Sequence, residues 1–250
     1  MGHRNYMGIN LVRCIMVETT VYLIRHSVRF NSKNIFQYKT NENKTIKNEK
    51  IILSVEGEKR AEILSNEEEL QNIDIVYTSN CVRTLQTAKY LLEKQNLKAN
   101  IDDRFDERRA GKPNDDIVKD WWLRQYIDEN YKTEGGESQK EVRERFTYAF
   151  NEVLEANKGK RIAIFSHGYA ITFFIMTWCK FEYNGRKDDI KFYFKNKKIF
   201  DKKINAPEVF KLEFDENNNI LNIQNIEFKD LPYKDALGNK RNRREGNKKI

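Results

Sequence analysis

Short apolar runs alternate with amphipathic segments along most of the chain. β-Branched and aromatic residues dominate three runs, which predict buried strands at 20–24, 73–79 and 161–166. Apolar residues recur at helical spacing in the segments around these runs, and the predicted helices are 53–70, 82–94, 114–131, a helix that begins after Ser138 and stops at Gly159, and 169–179. Strands that alternate with helices predict βαβ units and a mainly parallel sheet.

The remaining pattern is polar or β-like. Residues 31–50 are rich in Asn and Lys and predict a surface loop. Two β-like runs, 208–214 and 220–228, flank the turn sequence "DENNN" and predict a hairpin. No repeat or low-complexity linker divides the chain, so we expect one domain over 16–232, after a weakly structured extension at 1–15 and before a basic, disordered tail at 233–250.

Composition narrows the class of protein. The chain has 250 residues, of which 39% are hydrophobic, which suffices for one sizeable core. The net charge of +8 is concentrated in the tail, which has no aromatic residue to stack on bases, so a solvated end is favoured over a nucleic-acid arm. The modestly basic body suits an anionic small molecule. No apolar run reaches membrane-spanning length, and no membrane partner is expected.

The three cysteines, Cys14, Cys81 and Cys179, show no C-x-x-C spacing. An odd and sparse set argues against a disulfide framework or a zinc site and is typical of a reducing compartment. We therefore expect a cytoplasmic protein.

Cationic side chains follow the predicted parallel strands. Arg25 and His26 come after the first strand, Arg83 enters the helix after the second, and His167 follows the third. Because ligands bind at the carboxyl ends of strands in such sheets, these groups are expected to converge. Clustered charges are costly unless an anion compensates them, and a phosphate matches the guanidinium fork.

Two histidines beside a phosphate suggest a particular chemistry. A neutral imidazole can attack phosphorus, a protonated one can stabilise charge on the phosphoryl oxygens, and the leaving alkoxide needs a proton from a carboxylic acid. Asp106 and Glu107, within the segment 102–113, are candidates for that acid. Composition alone favours a charged surface loop for this segment.

Six blocks in order along the chain resemble a known family, the histidine phosphatase superfamily, also called phosphoglycerate mutase-like. "LIRHS" resembles its R-H-G signature, and "FSHG" matches its second histidine block. The other four blocks are "LSVEGEKRA" (family "LTxxGxxQA"), "YTSNCVRTLQTA" ("SSxxxRAxQTA"), "FDERRAGKP" ("LxExxxGxxxG") and "GGESQKEVRERF" ("GES…R"). The resemblance extends from about residue 20 to residue 228.

The resemblance implies an α/β fold, a three-layer α/β/α sandwich with a mainly parallel central sheet. It implies that His26 is the nucleophile, that Arg25, Arg83 and His167 bind the phosphate, and that Glu107 donates the proton. It implies no metal and no cofactor.

Other residues near these blocks are expected to contact the substrate, namely Ser27, Arg29, Asn31 and Ser138. Ser27 stands where the family usually has Gly, and the second Gly expected after Gly111 is missing. The aromatic residues Trp121, Trp122 and Tyr126 lie in the segment expected to cover the pocket, unless they only pack a helix.

The expected activity is that of a histidine acid phosphatase-type enzyme, a metal-independent phosphomonoester hydrolase that acts on a small phosphorylated metabolite through a phosphohistidine. The short segment between Glu107 and Ser138 favours the phosphatase form. Phosphoglycerate mutase-type transfer and a non-catalytic phosphate-binding protein remain as alternatives. A homodimer is also expected, and nucleic acid is not.

Overall fold

The computed structural model describes residues 17–31, 44–111, 121–183 and 189–239. The predicted extension at 1–15, Cys14, the first part of the helix predicted at 114–131 and the tail from residue 240 lie outside these residues. No helix among the described residues is long and apolar enough to cross a membrane.

A six-stranded sheet forms the centre of the molecule, with the order β3-β2-β4-β1-β8-β9. Its strands are β1 (Thr19–Arg25), β2 (Ile75–Thr78), β3 (Ala99–Ile101), β4 (Arg161–Ser166), β8 (Val209–Phe214) and β9 (Ile220–Ile226). The first four strands in chain order pair in parallel, while β8 and β9 run antiparallel as the predicted hairpin. The mainly parallel sheet is therefore confirmed. The sequence pattern missed β3 because it is a three-residue edge strand with little burial.

Within the described residues, six α-helices accompany the strands. They are α1 (Lys44–Glu49), α2 (Val55–Asn66), α3 (Val82–Gln95), α4 (Trp121–Ile127), α5 (Gln139–Ala156) and α6 (Gly168–Ile175). The prediction of a continuous loop over 31–50 is wrong in the part that α1 occupies. The helix predicted at 53–70 ends at Asn66 and continues as a 3₁₀ turn. The helices predicted to reach residues 131 and 179 end earlier, at Ile127 and Ile175.

The core lies on both faces of the sheet. In β1, Val21 and Leu23 pack in a cluster with α5 and α6, whereas Tyr22 and Ile24 pack in a second cluster with α2 and α3. A strand whose alternate side chains are buried on opposite faces lies in the middle layer of the fold. This arrangement confirms the three-layer α/β/α sandwich.

A separate antiparallel sheet consists of β5 (Lys180–Tyr183), β6 (Asp189–Phe194) and β7 (Lys197–Lys203), in that order. The sequence did not predict it, because Lys residues interrupt the apolar alternation of these strands. After β7, the chain returns to the carboxyl end of β1, where Arg25 donates from its backbone N–H to the Glu208 carbonyl.

Gly57 allows α2 to lie directly against the chain that follows β1. A Cβ at this position would come within 2.0 Å of the Val28 carbonyl oxygen, which no side chain tolerates. The glycine lowers helix propensity in the first turn, and Ser54 offsets part of this by accepting a hydrogen bond from the Gly57 N–H at 3.0 Å.

The tail was predicted to begin at residue 233, but residues 233–239 make hydrogen bonds to the rest of the fold. The Ala206 N–H donates to the Lys234 carbonyl, and the Arg29 N–H donates to the Ala236 carbonyl, both at 2.9 Å. Lys234 also pairs with Glu56 of α2. The basic composition of the tail concealed this short segment, which packs beside the chain that follows β1.

Candidate active site

A cavity of about 1160 Å³ opens at the carboxyl ends of the parallel strands, and Arg25, His26, Arg83, Glu107 and Gly168 are part of its wall. His167 lies behind the wall, with its ring centroid 5.3 Å from that of His26. The groups that follow three separate strands therefore converge, as their positions in the sequence predict.

His26 is 4% exposed and is held in one tautomer. Its Nδ1 lies 2.7 Å from the Ser27 carbonyl oxygen, which can only accept, so Nδ1 carries the proton and Nε2 keeps its lone pair. Burial, followed by the charges of Arg83 and Arg25, lowers the pKa of His26 well below its ordinary value. The ring is thus a neutral base at physiological pH.

His167 is also buried, but both of its ring nitrogens are engaged. An Arg83 Nη2–H donates to Nδ1 at 2.9 Å, which leaves the proton on Nε2 to be donated to Ser79 Oγ at 2.7 Å. Burial and the charge of Arg83 lower the pKa of His167 well below its ordinary value. The protonated second imidazole expected from the sequence therefore requires an anion that offsets the charge of Arg83.

Arg25 and Arg83 each retain an unused donor inside the protein. Arg25 donates from Nη1 to the carbonyls of Ile204 and Asn205, at 2.7 and 3.0 Å. Arg83 donates from Nη1 to the Asn48 carbonyl of α1 at 2.6 Å. The Nε atoms of both arginines are buried and have no hydrogen-bond partner among the described residues. Two guanidinium groups that have buried, unsatisfied Nε donors at one cavity are typical of an anion site.

Both candidate acids line this cavity, so the loop that carries them is not merely a solvated surface loop. Glu107 Oε1 accepts hydrogen bonds from its neighbour Arg108 N–H at 2.9 Å and from the Ala170 N–H of α6 at 3.2 Å. Asp106 Oδ1 accepts from the Asn80 N–H at 2.8 Å, and burial raises the pKa of Asp106 to about 6.

Among the described residues, one group has the composition of a metal site: Cys81, Asp106 and His167 have candidate ligand atoms within 4.8 Å of one another. Three features oppose its use by a cation. Both His167 nitrogens are engaged, burial raises the pKa of the Cys81 thiol to about 11, and Arg83 places a positive charge beside the group.

A salt bridge that the sequence analysis missed supports the acid loop. Arg145 donates to Glu137 at 2.8 Å and also to the carbonyls of Arg104 and Asp106, at 2.7 and 3.0 Å. Arg145 is one of the two arginines, with Arg143, in the "GGESQKEVRERF" block, so its position in that block was the available signal. It ties α5 to the turn that presents both carboxyl groups.

The other predicted substrate contacts have mixed outcomes. Arg29 is part of the cavity wall, and burial followed by the charges of Arg83 and Arg25 lowers its pKa. Asn31 is exposed and does not line the described cavity wall. Ser27 and Ser138 are buried and do not line it either. The Ser27 N–H donates to Thr87 Oγ1, and Ser138 caps α5.

The cavity wall also contains groups that sequence reasoning did not single out. Arg108 is buried and lies over the ring of Tyr169, at 5.6 Å from the ring centroid. Tyr126, which was expected to cover the pocket, lines it as well. The structure does not describe the side chains of Trp121 and Trp122.

A family model, that of the histidine phosphatase superfamily (branch 1), matches residues 21–190. The chain belongs to this superfamily. The match includes His26, His167, Arg25, Arg83 and the acid loop, which agrees with the resemblance seen in the six sequence blocks.

Two curated relatives match about half of this superfamily member. The chain is 29% identical over 123 residues to phosphoserine phosphatase 1 of Hydrogenobacter thermophilus, covering 46% of this chain and 58% of the relative. It is 30% identical over 127 residues to the probable phosphoglycerate mutase GpmB of Yersinia enterocolitica, covering 48% of this chain and 59% of the relative. The matched region is thus less than two thirds of either relative.

Solved structures share the fold. A mycobacterial glucosyl-3-phosphoglycerate phosphatase aligns with a TM-score of 0.56 and 17% identity, over 84% of this chain and 97% of its own. A phosphoserine phosphatase variant from Entamoeba histolytica aligns with a TM-score of 0.57 and 16% identity, over 82% of this chain and 96% of its own. Identities this low establish the fold alone.

Proposed function

We propose that the protein is a metal-independent phosphomonoester hydrolase that acts on a small phosphorylated metabolite through a phosphohistidine at His26. The observation that carries this proposal is the tautomer of His26. A neutral ring with a lone pair on Nε2 supplies the nucleophile, and the two guanidinium groups with unused Nε donors at the same cavity supply the anion site that the reaction needs.

In the first step, His26 Nε2 attacks phosphorus and the bond from phosphorus to the ester oxygen breaks. Glu107, in its protonated form, gives its proton to the departing alkoxide. Arg25, Arg83 and Arg29 hold the non-bridging oxygens, whose charge offsets theirs. Bound anion also favours a proton on His167 Nδ1, and when Arg83 Nη2 turns from that nitrogen to a phosphoryl oxygen, the Nδ1–H becomes a further donor to the phosphoryl group.

In the second step, a water molecule attacks the phosphohistidine, and the phosphorus–nitrogen bond breaks. The Glu107 carboxylate accepts the proton from water, which returns the acid to its starting form and releases inorganic phosphate. Asp106 is the second candidate for this role, because it lines the same cavity and burial raises its pKa to about 6.

A mutase reaction would share the first step and return the phosphoryl group to another hydroxyl of the same substrate. The similarity to a probable phosphoglycerate mutase is the observation that favours it. Incubation with 3-phosphoglycerate separates the two functions, because a hydrolase releases inorganic phosphate and a mutase produces the 2-phospho isomer.

The direct test of hydrolysis is a panel of phosphomonoesters assayed for phosphate release in the presence of EDTA. The proposal expects turnover of 4-nitrophenyl phosphate and of at least one metabolite, with no loss on chelation. Tight phosphate binding without turnover of any ester would favour the non-catalytic binding protein instead. The cytoplasmic location, the homodimer and the lack of a nucleic-acid partner stay predictions.

A further inference from the structure

Arg60 of α2 is a buried cation that makes three hydrogen bonds to uncharged oxygens. It is 5% exposed. Its Nε donates to the Ala206 carbonyl at 2.7 Å, and its Nη2 donates to Asn205 Oδ1 at 3.2 Å and to the Pro232 carbonyl at 2.8 Å. The guanidinium therefore joins α2 to the segment after β7 and to the chain near residue 232.

The segment that Arg60 holds is also the segment that orients Arg25. The Ile204 and Asn205 carbonyls accept hydrogen bonds from Arg25 Nη1, while the next carbonyl and the Asn205 side chain accept from Arg60. Three consecutive residues thus lie between two guanidinium groups. Any shift of this segment would move the acceptors of Arg25, and with them the Nε donor that remains unused.

The Asn205 side chain extends the same support. Its Oδ1 accepts from the Ala206 and Lys234 N–H groups, both at 2.8 Å, and its Nδ2 donates to the Leu231 carbonyl at 3.0 Å. Arg60 is a charged member of this network, and burial lowers its pKa. Burying a cation is costly. If these hydrogen bonds had only a structural role, a neutral side chain could make them at a lower desolvation cost.

The sequence block around Arg60 shows what is particular to this chain. "LSVEGEKRA" carries Arg60 where the resembling block "LTxxGxxQA" has Gln. A glutamine offers two N–H donors on one nitrogen, whereas a guanidinium offers five in a planar fork. Gln cannot serve all three acceptors that Arg60 reaches.

We propose that Arg60 is a positioning residue, which fixes the guanidinium of Arg25 for phosphate binding by holding the Ile204–Ala206 segment. The inference rests on the proposed role of Arg25 as a phosphate ligand. Arg60 itself does not contact the substrate. Its contribution is to keep the Arg25 acceptors in place, so that the Arg25 guanidinium, which is part of the cavity wall, meets the anion without rearrangement on binding.

The test compares inorganic phosphate binding by Arg60→Met, Arg60→Gln and Arg60→Lys with that of the wild type, using ³¹P NMR titration. We expect Arg60→Met to weaken phosphate binding about tenfold, and Arg60→Gln and Arg60→Lys to weaken it by about threefold because each keeps some donors. Arg60→Gln is the second variant should Arg60→Met not fold, since related blocks carry Gln there.

Arg161→Met is the matched control. Arg161 also donates to a backbone carbonyl, that of Glu69 at 2.7 Å, and lies over the ring of Tyr22, but it is at the opposite end of β4 from the cavity. We expect it to lower the melting temperature by an amount similar to that of Arg60→Met and to leave phosphate affinity unchanged. This separates positioning from general stability.

A double-mutant cycle decides whether Arg60 acts through Arg25. In an Arg25→Ala background, Arg60→Met should weaken phosphate binding by less than about twofold, because the group that it positions is gone. An equal loss in both backgrounds, or a loss of stability with unchanged phosphate affinity, would overturn the inference. These titrations need no turnover, so their failure is distinct from a failure of the proposed hydrolysis, which appears in the assays of His26 variants.

Discussion

The inner end of the cavity and its outer wall differ in how the chain builds them. The inner end consists of Arg25 at the end of β1, His26 and His167 directly after β1 and β4, and Arg83 in the first turn of α3, so the hydrogen-bonded sheet sets their spacing. The outer wall consists of loops and of side chains from α4, α5 and α6, which tertiary packing brings together. The inner end is thus suited to chemistry common to a superfamily, while the outer wall is suited to substrate choice.

The largest effect should come from the inner end. His26→Ala removes the nucleophile, and we expect a loss of at least about 10³-fold in kcat on 4-nitrophenyl phosphate. His167→Ala, the matched variant, should cost less because it removes a donor and leaves the nucleophile. Near-wild-type kcat in His26→Ala, in a sample with unchanged melting temperature, would contradict the mechanism.

A leaving-group comparison tests the acid on the loop between the two regions. Glu107→Gln should slow hydrolysis of alkyl phosphates by about 10²-fold or more, and that of 4-nitrophenyl phosphate much less, since nitrophenolate leaves without a proton. Asp106→Asn is the control, with similar losses on both substrates. If Asp106→Asn instead showed the leaving-group dependence, the acid would be Asp106.

The pH dependence of the unfolding free energy is a separate test of the raised pKa of Asp106. Because its pKa rises from 3.8 to about 6 in the folded protein, the folded state binds a proton more tightly than the unfolded state does. Ionisation therefore destabilises the fold, with no cost below about pH 4 and the full cost above about pH 6. Relative to Asp106→Asn, the wild type should lose stability as pH rises through this window. Parallel curves of unfolding free energy would refute the raised pKa.

The smallest effects on rate should come from predicted contacts that the structure places outside the cavity wall. Ser138→Ala removes the cap that accepts from the Glu141 N–H at 3.1 Å, and should cost about 1 kcal/mol of stability. We expect kcat and KM for 4-nitrophenyl phosphate to change by less than about twofold in Ser138→Ala, because its hydroxyl acts on α5 alone. A large change in KM at constant stability would restore Ser138 as a substrate contact.

Sequence reasoning predicted the inner end better than the outer wall for a physical reason. Arg25, His26 and His167 follow strands whose apolar runs are visible locally, and the sheet brings them together. Ser27 and Ser138 lie next to site residues in sequence, yet adjacency does not set direction, and both side chains point into packed surroundings. Arg145 reaches the acid loop across a long stretch of chain, which no local pattern encodes.

The same reason explains the missed sheet and the missed support of Arg25. Strands β5 to β7 mix Phe, Tyr and Ile with Lys, Asp and Glu, so their pattern resembles a charged surface segment until the packing of Phe192 and Phe200 is known. The hydrogen bonds of Arg60 to the chain near residues 206 and 232 join segments far apart in sequence. Such contacts require the tertiary structure.

The central claim is that His26 carries the phosphoryl group during turnover. The measurement is an acid-free quench of the enzyme with a ³²P-labelled phosphomonoester, followed by peptide mapping of the label. The account predicts an acid-labile, base-stable label on the peptide that contains His26, present in His167→Ala if the ester is still turned over and absent in His26→Ala. A label on another residue, or turnover in His26→Ala at the wild-type rate, would contradict it.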